Sequence, residues 1–248
     1  MGQFKNANFS HSHSLEILEA LREHDTFMDS VTTVADFGCG SGMDILWWAT
    51  RETRDEPPEP LNYLCYAVDK DPAQFNLEPH KNIMFIEGNF EKRVLSREVD
   101  VIWCHDAFQY AVNPLATLAV WNQQLVTNGM LYIGIPLHGY SHLNRWQFLS
   151  RSYEYYHHTF LSMVYMLAVN GFDCKDAYFR KRKDDAWLHS VVFKTGEPMD
   201  PATTSWHDLV ERKLVHDSIG NSILTHGYPR LEDVFYPWLD RDNHRIIL

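Results

Sequence analysis

Three short clusters carry residue types able to bind and activate a ligand. Val34-Ala35-Asp36-Phe37 runs directly into Gly38-Cys39-Gly40-Ser41-Gly42, and Tyr66-Ala67-Val68 ends on Asp69. Further along, Asp100-Val101-Ile102-Trp103-Cys104 leads into His105-Asp106. Glycines at alternate positions after an apolar run let the backbone approach a ligand that side chains would keep away. A carboxylate closing the next apolar run can accept hydrogen bonds from paired sugar hydroxyls. An imidazole can take a proton near neutral pH. The three clusters together predict a cradle for a nucleotide-like ligand, with His105 beside it as a candidate base.

Such groups act together only if a scaffold brings them to one edge. Short apolar, strand-like runs occur at 33–37, 63–68, 83–86, 99–103 and 130–135, separated by helix-length segments. That alternation predicts a mostly parallel sheet with helices on both faces. Two later runs, 173–179 and 186–193, are joined only by Arg180-Lys181-Arg182-Lys183-Asp184-Asp185, too short for a crossover helix, so they should form a terminal antiparallel hairpin. Helices are expected at 44–50, 114–125 and 158–170, the last stopped by Asn170-Gly171. The expected fold is therefore α/β, a Rossmann-like doubly wound, seven-stranded sheet with a terminal hairpin.

Segments outside the alternation divide the chain further. Residues 1–30 read as a helical segment capped by Ser14, with Leu15, Ile17, Leu18, Ala20 and Leu21 on one face, and placed to serve as a lid. Residues 31–195 form the sheet domain, interrupted by a surface insertion at 52–62. Residues 196–248 are an extension with one expected helix at 206–215. Its aromatics Trp206, Tyr228, Phe235, Tyr236 and Trp238 call for packing on the core or on a partner chain, which is compatible with a homodimer.

Composition narrows the partners. The chain has 248 residues, 45% of them hydrophobic, with 22 Lys plus Arg against 33 Asp plus Glu and a net charge of −11. It is long enough for a substantial core, and its acidity disfavours nucleic acid. Cys39, Cys65, Cys104 and Cys174 show no C-x-x-C spacing and read as buried free thiols. The first residues lack a signal-peptide core, and the apolar run 160–169 is far short of the ~20 residues that span a bilayer. A soluble cytoplasmic protein with no membrane contact is the expectation.

The glycine turn distinguishes between cofactors. A dinucleotide fold built on Gly38 and Gly40 would need Gly or Ala where Met43 stands. The chain instead has G-x-G-x-G with an acid two residues before it. In this, and in the order of the motifs that follow, it resembles the class I S-adenosylmethionine-dependent methyltransferases of the small-molecule type, over residues 33–194. Asp69 lies well beyond the ~20 residues expected after such a turn, and the 52–62 insertion accounts for the excess.

The resemblance implies S-adenosyl-L-methionine as cofactor. Asp36, Phe37, Gly38, Cys39, Gly40 and Gly42 would surround its amino-acid end, and Asp69 and Lys70 its ribose. Asn89 and Phe90, in Ile86-Glu87-Gly88-Asn89-Phe90, would face the adenine, with His105 and Asp106 beside the sulfonium. The family often carries a histidine pair where this chain has Gln109-Tyr110.

Methyl transfer from a sulfonium needs mainly alignment, and a base only when the nucleophile arrives protonated. The catalytic candidates are His105 as base or substrate contact, with Tyr110 and Tyr140 as orienters. His138 and His142 have Gly139 between them and no evident third ligand, so no metal is expected. The aromatic stretch 146–158 points to a small acceptor, cationic or aromatic. Two other readings stay open: a nucleotide-dependent oxidoreductase, opposed by Met43 and the hairpin, and a catalytically inactive cofactor-binding partner subunit.

Overall fold

The computed structural model describes residues 14, 17–18, 30–52, 62–136, 158–181 and 187–234. Its elements, in chain order, begin with β1 (Thr33–Phe37), α1 (Met43–Ala49), β2 (Leu64–Asp69), β3 (Ile83–Glu87) and β4 (Val99–His105). A 3₁₀ turn at Phe108–Tyr110 leads to α2 (Pro114–Asn122) and β5 (Leu125–Pro136). α3 (Phe160–Val169), β6 (Phe172–Lys181), β7 (Trp187–Lys194), α4 (Trp206–Glu211) and α5 (Asp217–His226) follow. The strands form one seven-stranded sheet in the order β3-β2-β1-β4-β5-β7-β6. The first five are parallel, and β7 runs antiparallel to both β5 and β6. The expected α/β sheet with its terminal hairpin is the observed one.

Side chains alternating along each strand divide the core between two faces. Ala35, Phe37, Ile102, Cys104, Leu131 and Ile133 pack with Leu118 and Trp121 of α2 and with Met163 and Leu167 of α3. Val34, Cys65, Val101, Trp103, Met130 and Tyr132 pack with Ile45 and Trp48 of α1. Ile17 and Leu18 are buried on this second face. Leu209, Val215, Ile219, Ile223 and Val234 sit in the first cluster, so the described part of the chain after β7 is built onto the sheet domain's own core.

The elements differ from the periodicity in instructive places. α2 begins as expected, with Asn113 accepting from the Ala116 amide at 3.1 Å and Pro114 at the first position. It ends at Asn122, because β5 already begins at Leu125. The Asn-Gly pair expected as a turn before a strand at 130 lies within β5: Asn128 has φ 62° and the register against β4 shifts there. α5 was not expected, since Ser, Gly, Asn and Thr dilute its apolar face. Its burial of Ile219 and Ile223 supplies what propensity does not. Ser14 is itself helical, and its hydroxyl is used elsewhere than at a cap. Most of the 52–62 insertion and the turn between the hairpin strands lie outside the described residues.

Lys194 fastens the C-terminal end of α2. Its ammonium donates to the Asn122 carbonyl at 2.9 Å and the Leu125 carbonyl at 3.0 Å while 7% exposed. Asn122 in turn donates to the Asn170 and Gly196 carbonyls. Replacing Lys194 with Met keeps the apolar stem and strips two buried carbonyls of their donor. We expect a loss of about 1–3 kcal/mol, read as a lower urea midpoint at constant slope.

Candidate functional site

Register brings the three sequence clusters to one edge of the sheet. Phe37 is paired with Val68, and Asp36 with Trp103, so β1, β2 and β4 end close together. The Gly38 and Cys39 amides both donate to the Val68 carbonyl, at 2.8 and 3.1 Å. The Gly40 amide donates to Asp69 Oδ2 at 2.9 Å. The turn is thus pinned to the end of β2 by three backbone donors. Gly38 has φ 75°, and a Cβ there would overlap the Cβ of Ala107 in the loop after β4. At Gly40 the same test meets nothing within 4 Å, which marks the open side of the turn.

Three carboxylates occupy this corner, each handled differently. Asp69, 9% exposed, accepts from the Gly40 amide through one oxygen and from the Asp71 amide at 3.0 Å through the other. Asp44 opens α1 and accepts the Ser14 hydroxyl at 2.9 Å and the Trp103 indole N–H at 2.8 Å. Asp36 is 3% exposed. Burial first, then the Asp44 and Asp69 charges, hold its carboxyl well above the usual carboxylate range, opposed by a hydrogen bond from the Ile45 amide. The same burial, reinforced by Asp36, pushes the Cys65 thiol up to about 12. Cys39 and Cys104 are also raised by burial and then by Asp36, so none of these thiols is poised as a nucleophile.

The remaining candidates fall around that corner. The Phe37 ring points into the core against Trp121, at 5.4 Å between centroids, so Phe37 meets the crevice only through its backbone. Lys70 and Asn89 are exposed, and Asn89 Oδ1 accepts from the Glu91 amide at 2.9 Å. Phe90 is half-buried, edge-on to Trp121, with a ring carbon 3.9 Å from the Cβ position at Gly38. Gly42, with φ 85°, starts α1 beneath Phe75 and Leu77.

His105 ends β4 at 8% exposure. Asp106 follows in a left-handed conformation, φ 56°, and accepts from the Gln109 amide group at 2.6 Å. Tyr110 ends the 3₁₀ turn, partly exposed, and donates its backbone N–H to the Ala107 carbonyl. Residues 138–157, Tyr140 among them, lie outside the described residues, whereas His158 is buried against Phe108.

Several residues at this edge escaped sequence reasoning. Asp44 hides in the apolar run of α1. Tyr132, His189 and Trp187 sit in strands that read as plain core, yet Tyr132 hydrogen-bonds both His105 and His189, and Trp187 stacks on His105 at 5.0 Å. A polar side chain in the middle of an otherwise apolar strand was the available signal.

The Asp36 arrangement has a definite pH consequence. In the unfolded chain this carboxyl ionises near pH ~4; in the fold it keeps its proton to higher pH. The folded state therefore binds more protons above pH ~4, and stability falls as pH rises from there to the raised value. Asp36→Asn abolishes that dependence. Its melting temperature relative to the parent should rise between about pH 5 and about pH 8, as measured by calorimetry.

Comparison with known proteins agrees with this geometry. Residues 35–133 match a family model described as a methyltransferase domain. A malonyl-[acyl-carrier protein] O-methyltransferase from Halalkalibacterium halodurans is 32% identical over 112 residues, 42% of this chain and 38% of that one. A second protein of that description, from Coxiella burnetii, is 31% identical over 108 residues, 43% of this chain and 42% of that one. The chain thus spans about two fifths of the length of the curated relatives it matches. The magnesium protoporphyrin IX methyltransferase of Synechocystis, solved with bound S-adenosylhomocysteine, superposes with a TM-score of 0.56 at 14% identity. That match covers 77% of this chain and 89% of the other, a likeness of fold. The glycine turn and most of the five parallel strands thus lie in a segment, residues 35–133, that matches a methyltransferase domain, within a seven-stranded sheet of the fold found in solved methyltransferases.

Proposed function

We propose that this chain is an S-adenosylmethionine-dependent methyltransferase acting on a small-molecule acceptor. The observation that carries the reading is the open face of Gly40 beside the Asp69 carboxylate, at the edge where His105 ends β4. The residues fit the cofactor. The turn leaves room where any side chain would intrude, and Asp69 offers a carboxylate already oriented by two amides. Asp36, Phe37, Gly38, Cys39, Gly40 and Gly42 would hold the amino-acid end, Asp69 and Lys70 the ribose, Asn89 and Phe90 the adenine. When bound, the cofactor supplies a methyl group already activated by its sulfonium.

The chain's own contribution is then to align and to shield. The buried strand ends and the Phe90 ring exclude water from the inner end of the crevice, which favours in-line approach of an acceptor. His105, with Asp106 next to it, would accept a proton from an acceptor that arrives as an ammonium or hydroxyl, with Tyr110 and Tyr140 orienting it. Among the described residues no helix is long and apolar enough to cross a membrane. A cationic or aromatic acceptor remains the preferred class. The curated relatives are named for O-methylation of a malonyl group on a carrier protein, so a malonyl thioester belongs in the acceptor panel.

Calorimetric titration tests the reading. S-adenosylhomocysteine should bind saturably and NAD should not; binding of NAD alone would overturn the assignment in favour of an oxidoreductase. Binding without turnover on any acceptor would favour an inactive partner subunit. Asp69→Ala removes charge-assisted acceptors worth about 1.5–3 kcal/mol, so S-adenosylhomocysteine should bind roughly 10- to 100-fold more weakly. Gly40→Leu, which fills the open face, should abolish measurable binding; the side chain at φ 49° lowers the melting temperature, and Gly40→Asn, which tolerates that backbone, separates lost binding from lost stability.

A further inference from the structure

His105, Gly134 and His189 are paired across three adjacent strands, His105 with Gly134 and Gly134 with His189. Tyr132, two residues before Gly134 on the same face, reaches over it. Its hydroxyl lies 2.9 Å from Nδ1 of His105 and 2.9 Å from Nδ1 of His189. The three side chains are 8%, 0% and 1% exposed. Their rings are nearly parallel: 12° between His105 and Tyr132, 17° between Tyr132 and His189, and 6° between the two imidazoles. Trp103 stacks on Tyr132 at 3.5 Å, and Trp187 on His105.

Gly134 makes this bridge sterically feasible. A Cβ there would overlap Nδ1 of His105 and come within 2.6 Å of the Tyr132 hydroxyl. Glycine inside a central strand weakens it, and its presence here marks a close approach that no other residue allows.

A tyrosine hydroxyl has one proton, so it can donate to only one of the two imidazoles. Of two neutral imidazoles on one hydroxyl, the one whose Nδ1 accepts its proton and the one whose Nδ1–H donates to its oxygen are opposite tautomers. We infer that His105, Tyr132 and His189 form a directional relay in which Nδ1–H of His105 donates to Tyr132 and the Tyr132 hydroxyl donates to Nδ1 of His189. Tyr132 and His189 are positioning residues. They keep Nε2 of His105 as the unprotonated nitrogen, the form that a base at this strand end requires. The inference rests on the proposed reading of the crevice for its purpose, but the tautomers are measurable without it.

The test uses the full chain labelled with ¹⁵N-histidine, with long-range proton–nitrogen spectra assigned through His105→Asn and His189→Asn. At neutral pH, His105 should carry its proton on Nδ1 and His189 on Nε2. Tyr132→Phe keeps the stack on Trp103 and removes the hydroxyl. It should return His105 to the Nε2–H form that neutral imidazole favours in water, with S-adenosylhomocysteine affinity changed less than about threefold. Gly134→Ala, which displaces the bridge with the hydroxyl still present, should do the same. His105 protonated on Nε2 in the parent chain, or tautomers unchanged in both variants, would overturn the relay. If S-adenosylhomocysteine fails to bind while His105 carries its proton on Nδ1, the crevice reading falls and the relay stands.

Discussion

The hydrogen bond from the Gly40 amide to the Asp69 carboxylate joins the two strand ends on which the crevice depends. β1 and β2 are parallel neighbours in register, so the chain leaves both at the same edge. The glycine turn must then satisfy its donors against whatever ends β2, and it uses the Val68 carbonyl and the Asp69 side chain. A turn so fixed cannot collapse into its own open side. Space for a ligand is in this sense a by-product of backbone donors that had to be paired.

The acids at that edge show how a fold accommodates charge it cannot leave in water. Asp69 is met by amides, Asp44 by a hydroxyl and an indole, and Asp36 by an affinity for its proton raised well above that of an ordinary carboxyl. Each answers the desolvation of a buried carboxylate. Ser14 takes part, so a helical residue early in the chain is tied to the first turn of α1 and, through Trp103, to β4. The buried Asp36 carboxyl and the left-handed Asp106 are locally unfavourable features concentrated at this edge, a pattern common to functional edges.

Beyond this corner the same sheet face changes character along its length. Val101, Trp103 and His105 succeed one another on β4, as do Met130, Tyr132 and Gly134 on β5. The face is apolar under α1 and becomes aromatic and hydrogen-bonding at the strand ends. Period-two alternation makes this gradient possible: one register sets both the core packing of Trp103 against Trp48 and the placing of His105 beside the turn.

The linear pattern carried much of this. Apolar runs spaced by helix-length segments are enough to dictate a parallel sheet, and a polar link too short for a crossover dictates the closing hairpin. Glycine spacing and an acid at a strand end identify a cradle, because backbone access and carboxylate acceptance are properties of residue type. What lay beyond reach came from contacts between strands distant in sequence. Nothing near Tyr132 announces a hydroxyl shared by His105 and His189, and nothing in α1 announces that Asp44 will meet Ser14 and Trp103. The end of α2 and the existence of α5 likewise followed from burial, which overrides weak local propensity. Residue type and spacing determined which chemistry the chain could host. Only the register of adjacent strands decided which side chains share a proton or a buried charge, because hydrogen bonds are made across space and leave no mark on the order of the chain.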